Sequence, residues 1–272
     1  MKDSFLKANG ICVSLVTNRF VVQQLTRRAI LSRYRGTFLG ILWSLLTPIL
    51  MLTIYTFVFG FVLEIRWPVQ EGGHAEFASI LFSGMIMHSL LSECMMQSTT
   101  LITSNPQYVK KVVFPLEALS WVTTSTALFQ AIISIGVLFA YLIIIGHSFS
   151  WTVLLFPLPI CGLFMMCIGI VWYVSAAAVY FKDLGHVMGV FSTILFFMAP
   201  ILYPKDALPE ELLPFLYLNP ITYPIEQFRE IVLWERAPDF KGLLIYFIVA
   251  YLFSRLGLLW FQHSRRGFAD VL

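Results

Sequence analysis

The sequence predicts an all-α membrane protein with six transmembrane helices, an N-terminal amphipathic helix lying in the membrane interface, and short external re-entrant helices between spans five and six. Three observations lead there. Of the 272 residues, 58% are hydrophobic and 12% charged, whereas a soluble domain carries about a quarter charged residues. The apolar residues fall in long runs with few charges, and about 20 such residues are needed to cross the hydrocarbon core. The Lys and Arg residues collect on alternate connections, as they do where loops stay in the cytoplasm. The formal charge of +3 is too small to imply a nucleic-acid partner.

The first 35 residues contain Lys and Arg but no apolar run ending in a small-residue cleavage site, so no removable signal peptide is expected. Over residues 14–35, Val21, Val22, Leu25 and Ala29 share one side of a helical wheel, with Arg19, Gln23 and Arg27 on another; Phe20 and Leu31 break the pattern. An interfacial helix bearing Arg27, Arg28, Arg33 and Arg35 fits. So does a basic flank that only orients the first span.

Residues 38–63 are expected to form span one, with Pro48 tolerated inside a bundle. Span two, 77–104, contains His88 and Glu93 and therefore has to shelter a polar face. Residues 118–181 hold no Asp, Glu, Lys or Arg and are too long for one crossing. A break at Gly146-His147-Ser148 divides them into span three, 118–145, and span four, 151–181. Span five is 187–203 and span six 243–261, where Arg255 can snorkel to an interface.

Seven cations precede span one (Lys2, Lys7, Arg19, Arg27, Arg28, Arg33 and Arg35), and Lys110, Lys111, Lys182, Arg265 and Arg266 fall on the same side of an even-span chain. Both termini are therefore expected in the cytoplasm. The opposite side takes Arg66 and the segment 204–239. There Pro204, Pro209, Pro214, Pro220 and Pro224 divide the chain into pieces too short to span, which are expected to form a re-entrant hairpin sheltered by protein, or else an amphipathic loop on the surface. Cys12, Cys94, Cys161 and Cys167 lack metal or redox spacing and are expected to pack in the core.

No catalytic centre is evident. The chain has no G-x-x-x-x-G-K-[ST] phosphate loop, H-E-x-x-H pair or G-x-S-x-G elbow, so no metal or cofactor is expected on it. His88 and Glu93 are five positions apart and do not share a helix face, which favours structural pairing or channel lining over a proton relay.

Four stretches resemble the ABC-2 permeases that export polysaccharides such as O-antigen, capsule and teichoic acid chains. They are Arg33-Tyr34-Arg35-Gly36 running into Leu39-Gly40-Ile41-Leu42-Trp43 and Pro48; Asn105-Pro106 followed by Lys110-Lys111-Val112-Val113-Phe114-Pro115; Ala199-Pro200-Ile201-Leu202-Tyr203-Pro204; and Leu218-Asn219-Pro220 with Arg229. The resemblance covers nearly the whole chain and implies the ABC-2, or type V exporter, fold. It implies a homodimer enclosing a channel for a lipid-linked polysaccharide, seated on two ATP-binding subunits that hold ATP and Mg, in a bacterial inner membrane. On the same basis residues 105–115 would be the coupling helix, with Asn105, Pro106, Tyr108, Lys110 and Lys111 touching the ATPase. Spans one and five would line the channel with Trp43, Tyr55, Phe57, Phe59, Phe196, Phe197 and Tyr203. An external gate, 204–239, would use Tyr217, Asn219, Pro220, Tyr223 and Arg229. The aromatics fit interfacial belts and lipid-facing positions as well. A teichoic acid, glycolipid or drug exporter would share the fold. A proton-coupled transporter built on Glu93, or an intramembrane enzyme of glycan or lipid assembly, is the reading from a different class.

Overall fold

The structure, a computed structural model, describes residues 11–58, 74–109, 114–205, 209, 211 and 213–271, apart from the side chains of Cys12 and of residues 74–76 and 269–270. Among these residues all regular structure is helical. The order is α1 (Ile11–Arg33), a 3-10 turn, α2 (Trp43–Tyr55), α3 (His74–Ser98), α4 (Pro106–Val109) and α5 (Glu117–Ile144). After a second 3-10 turn come α6 (Pro157–Tyr180), α7 (Leu184–Phe197), α8 (Leu213–Leu218), α9 (Thr222–Val232), α10 (Phe240–Ser264) and, beyond a last 3-10 turn, α11 (Phe268–Val271).

Among the described residues five segments are long and apolar enough to cross a membrane: Gly40–Val58, Phe77–Ser98, Glu117–Ile144, Trp151–Tyr180 and Phe240–Gly267. The expected span five is instead a 14-residue apolar helix, α7, about 21 Å long at 1.5 Å per residue and so short of a hydrocarbon core of about 30 Å. It begins before residue 187 and stops at Phe197, because the run Ala199-Pro200 turns the chain. Span two likewise ends as a helix at Ser98, and residues 99–104 are turns.

α3 is the most enclosed of the long helices and α2 the most exposed. α3 packs against α5 and α6, and α10 lies along α6. There two glycines let the backbones meet: a Cβ on Gly257 would sit 2.7 Å from the carbonyl oxygen of Gly169, and one on Gly169 would sit 2.8 Å from Cα of Ser254. Three neighbouring threonine hydroxyls inside α5 are satisfied locally: Thr123, Thr124 and Thr126 donate to the carbonyls of Leu119, Ser120 and Val122. Cys94 and Cys167 are fully buried in the main core. Cys161 is exposed on α6, contrary to the expectation, since a thiol is apolar enough to sit on an outward face; the Cys12 side chain is outside the described residues.

α1 packs on α5 with the stripe the sequence suggested: Val22 is buried, and Leu25 and Ala29 rest on the same core cluster. Phe20 and Leu31, with Val13 and Val16, are exposed on the opposite side. The helix is apolar on two faces, and this is why those residues looked out of pattern.

Pro48 lies inside α2 and is buried. Proline has no amide hydrogen, so the carbonyl four residues earlier, that of Ser44, loses its helical partner. Gln130 of α5 supplies one, its Nε2 donating to Ser44 O at 2.9 Å. Its Oε1 accepts from the Tyr34 hydroxyl at 3.0 Å. Gln130→Leu is therefore expected to destabilise the protein by about 1–3 kcal/mol, the cost of an orphaned buried acceptor. Adding Pro48→Ala restores the amide and should recover most of that loss, measured by thermal unfolding in detergent; equal effects of Gln130→Leu in both backgrounds would contradict the assignment.

Candidate functional site

The described side chains gather at two ends of the bundle. At the first, Arg33, in the last turn of α1, forms an ion pair with Glu93 of α3, which also accepts from Gln97 Nε2 at 2.7 Å. Arg265, after α10, donates to Glu117 at the start of α5 at 2.9 Å, and the Tyr180 hydroxyl donates to Ser264 O at 3.0 Å. The ends of α1, α3, α6 and α10 and the start of α5 thus meet at one basic face.

α4 sits there too. Asn105 holds the turn before it, its Nδ2 donating to Leu101 O at 2.9 Å, while its carbonyl accepts from Tyr108 N at 3.0 Å. Tyr108 stacks on Phe114, ring centroids 4.3 Å apart. Beneath α4 a cavity of about 500 Å³ is lined by Arg28, Arg33, Gln97, Asn105, Tyr108 and Thr123 among others. Asn105 and Tyr108 therefore line one cavity with Arg28 and Arg33 of α1, while Pro106 begins α4. Lys110 and Lys111 lie outside the described residues.

The two titratable groups of span two part company. Glu93 faces Arg33, whereas a His88 ring nitrogen lies 3.1 Å from Ser192 O on α7, where Ser192 also donates to Ser92 at 2.8 Å. These contacts tie α3 to different neighbours and form no relay.

Of the aromatics named for a channel, Trp43 and Phe57 on α2 and its extension and Phe197 on α7 are exposed, the last two at 60%. Tyr55 and Phe196 are half-buried against the core, with Phe196 edge-on to His88 at 5.1 Å. Tyr203 folds back and donates to Phe197 O at 2.7 Å. Phe196, Phe197 and Tyr203 are thus one cluster and the α2 aromatics another; Phe59 is outside the described residues.

The opposite end is built on α9. Arg229 is only 2% exposed and donates through Nε to Ser83 Oγ (3.2 Å), through Nη1 to Pro200 O (2.6 Å) and through Nη2 to Ile80 O (2.9 Å). One guanidinium joins α9, α3 and the turn after α7. Asn219 adds a second tie: Nδ2 donates to Leu195 O at 2.7 Å while Oδ1 accepts from Ile221 N. The Pro220 carbonyl accepts from Tyr246 of α10 at 2.8 Å, and Tyr223, stacked on Tyr246, donates to Asp239 O. α8 is far less anchored, with Leu216 buried but Phe215, Tyr217 and Leu218 exposed. The Tyr217 hydroxyl reaches Glu226 Oε2 at 3.2 Å, and Lys205 Nζ lies 3.6 Å from Oε1. Burial pushes the Glu226 carboxyl up; Lys205 and the Tyr217 hydrogen bond pull the other way. Burial also raises the Tyr223 phenol.

Sequence reasoning named Arg229 and Asn219 but missed Gln130, Ser83 and Glu226. Gln130 was detectable as an amide in a run without charges; Ser83 and Glu226 gave no signal apart from their partners.

A helical bundle with several membrane-length helices and its fixed charges collected at its ends is a polytopic membrane protein. Residues 21–233 match the family described as ABC-2 type transporter. The chain is 27% identical over 261 residues to the O-antigen export system permease protein RfbA of Myxococcus xanthus, covering 93% of this chain and 96% of that protein. It is 25% identical over 252 residues to a protein of the same name from Klebsiella pneumoniae, covering 91% and 93%. Identity is also 25% over 227 residues to the polysialic acid transport protein KpsM of Escherichia coli, covering 79% and 82%. The chain belongs to the ABC-2 type transporter family and is a membrane permease, a transport subunit.

Two predictions follow from the α9 end. Arg229→Lys keeps the charge but cannot serve three divergent acceptors, and each hydrogen bond from a charged donor is worth about 1.5–3 kcal/mol. The variant should lower the unfolding temperature and expose the segment around α8 to protease; unchanged proteolysis would count against the tie. Glu226 is protonated more readily folded than unfolded, so its contribution to stability is full at low pH and is lost as pH rises through its raised pKa. Glu226→Gln should therefore stabilise the protein at neutral pH and change little in acid, read from unfolding temperatures across pH.

Proposed function

We propose that this chain is the membrane-spanning subunit of an ATP-driven exporter that moves a lipid-linked polysaccharide, of O-antigen or capsule type, across a bacterial inner membrane. Two copies enclose the pathway, and each sits on a separate nucleotide-binding subunit that holds ATP and Mg. Six crossings put both termini in the cytoplasm, with α7 and the turn after it as the shortened fifth. α8 and α9 are the external re-entrant helices. The observation that carries this reading is the near full-length similarity to O-antigen export permeases.

The geometry supports it in three ways. The basic face that gathers Arg33, Lys182, Arg265 and Arg266 is the one where α4 lies, as cytoplasmic retention of cations requires. Tyr108 of α4 lines one cavity with Arg28 and Arg33 of α1 and with Leu119 and Thr123 of α5, which supports reading α4 as the coupling helix. The exposed apolar faces of α2 and α7, including Leu45, Ile49, Phe57, Val190, Phe191 and Phe197, give a second copy and the glycan surfaces to meet. Aromatic faces such as Phe197 and Tyr203 offer a hydrated, flexible chain contact without tight charge.

Purification from the native host in mild detergent is expected to recover a stoichiometric subunit bearing a phosphate loop, with ATPase activity. A chain that purifies alone, without that activity, would overturn the proposal. Replacing Tyr108 by Ala and deleting Lys110 and Lys111 is expected to leave the complex in the membrane hydrolysing ATP while export falls about tenfold or more, as loss of a central aromatic anchor does; unchanged export would remove the coupling role.

A further inference from the structure

Glu226 is the enclosed member of the polar group at the α8 end of the bundle. Its side chain is 14% exposed, whereas its partners Lys205 and Tyr217 are both exposed. Its two oxygens are served unequally. Oε2 accepts from the Tyr217 hydroxyl of α8, while Oε1 is buried, accepts no hydrogen bond from a described residue and has the Lys205 ammonium, on the turn after α7, 3.6 Å away. The other charges near Glu226 are engaged elsewhere. Arg229, three positions on, is bonded to Ser83, Pro200 and Ile80, which are the groups α3 and the turn after α7 present to it. Glu230 pairs with Arg236. The Asp239 carboxylate accepts from Lys241 N and lies beyond Tyr223, which stacks on Tyr246 of α10. His147 meets α9 at its far end, at Val232 O. α6 and the 3-10 turn before it also pack on α9, and they hold no Asp, Glu, Lys, Arg or His.

We propose that Glu226 is a proton-operated catch for α8: carrying a proton it keeps α8 seated on α9, and having lost that proton to water it favours a lifted α8. A carboxyl shut away from water resists ionising, and burial pushes the Glu226 carboxyl up although Lys205 and the Tyr217 hydrogen bond pull the other way. Lifting α8 withdraws Tyr217 and admits water, and the carboxyl then ionises in the ordinary range. The seated form therefore binds the proton more tightly than the lifted form. By linkage it gains as pH falls and loses as pH rises through the raised value. α8 is the part free to respond, because Leu216 is buried but Phe215, Tyr217 and Leu218 are exposed. α9 is not, since Arg229 and Asn219 tie it and the chain entering it to neighbouring elements. This rests on the reading of the chain as an exporter with α8 and α9 on the external face, and it names a regulation of that face. The medium outside the membrane sets how readily α8 lifts, and acid there keeps it seated.

The test is hydrogen–deuterium exchange of the full-length chain in phosphatidylcholine nanodiscs, followed in peptides covering α8 from about pH 4 to about pH 8 and corrected with an unstructured peptide of the same sequence. Protection of α8 in the wild type is expected to fall several-fold as pH rises, while α10 keeps its protection. Glu226→Gln cannot ionise and should hold α8 protected across the whole range. Lys205→Met removes the cation that favours the carboxylate, so the fall should deepen and extend to higher pH. Glu230→Gln, on the next turn of α9, should leave the wild-type profile as it is. A wild-type profile flat in pH overturns the catch. So does a fall of equal size in Glu226→Gln, which would assign the response to another group. The measurement uses neither cargo nor ATPase, so a chain that co-purifies with an ATPase subunit yet shows a flat profile loses the catch and keeps its place as an exporter subunit.

Discussion

A guanidinium buried at the edge of a membrane protein, as Arg229 is, has to find oxygen atoms within the protein, because neither hydrocarbon nor distant water will supply them. Its partners are two backbone carbonyls and one serine hydroxyl, drawn from α3 and from the turn after α7. The two carbonyls differ in what the arginine brings them. Pro200 O follows a helix that has ended, and Ile80 O already accepts from the Ser83 hydroxyl that the arginine also touches. Satisfying this guanidinium in a dry environment thereby fixes where α9 can lie. With α9 fixed, the Asn219 and Pro220 contacts place the chain entering it, and Asp239 and Tyr246 place the helix that leaves.

The same rule governs the other end through Pro48. A proline inside a membrane helix is tolerated only where something pairs with the carbonyl it strands. Gln130 does this, and its remaining oxygen takes the Tyr34 hydroxyl, so the turn before span one, the interior of span one and the middle of α5 share one amide. Together with Arg33 and Glu93 this leaves the elbow between α1 and α2 little freedom to close.

Much of this could be read from residue order alone, and what could not has a physical reason. Charge-free runs placed the long helices because length and hydrophobicity are local properties. The Lys and Arg distribution separated the two ends, and the helical bundle places Arg33 in the last turn of α1 and Lys182 and Arg265 just after α6 and α10. α7 was placed but given too long a reach, since apolar content does not reveal that Ala199-Pro200 stops the helix. The core-facing stripe of α1 was legible, and Phe20 and Leu31 stood outside it because they form an exposed stripe of their own. Gln130, Ser83 and Glu226 act through partners 86, 146 and 9 positions away, and such pairings exist only once the fold does. The aromatics divided for a similar reason: composition gives a Phe its affinity for apolar surroundings, but whether it faces the core, as Phe196 does, or outward, as Phe197 does, depends on helix rotation.

The distribution of ties also determines which parts can move relative to one another. α9 is bonded to α3 and to the turn after α7 through groups that are costly to expose, so these three are expected to shift together if they shift at all. α8 is held by the Tyr217 contact with Glu226 and by the Leu216 carbonyl, which accepts from Thr222, and most of its apolar surface is uncovered. The Tyr217 contact lies at the surface, and exposed contacts of this kind open at low free energy. On the basic face the position is reversed: α4 is a single turn over a polar cavity, while the ion pairs around it bind α1 to α3 and α5 to the end of α10. A displacement applied at α4 therefore meets a braced end of the bundle first. α3 runs from that brace, at Glu93, to the Arg229 cluster, at Ile80 and Ser83. α3 thus joins the two faces through charge-assisted contacts at both of its ends, so a shift of this helix at one face cannot leave the polar cluster at the other undisturbed.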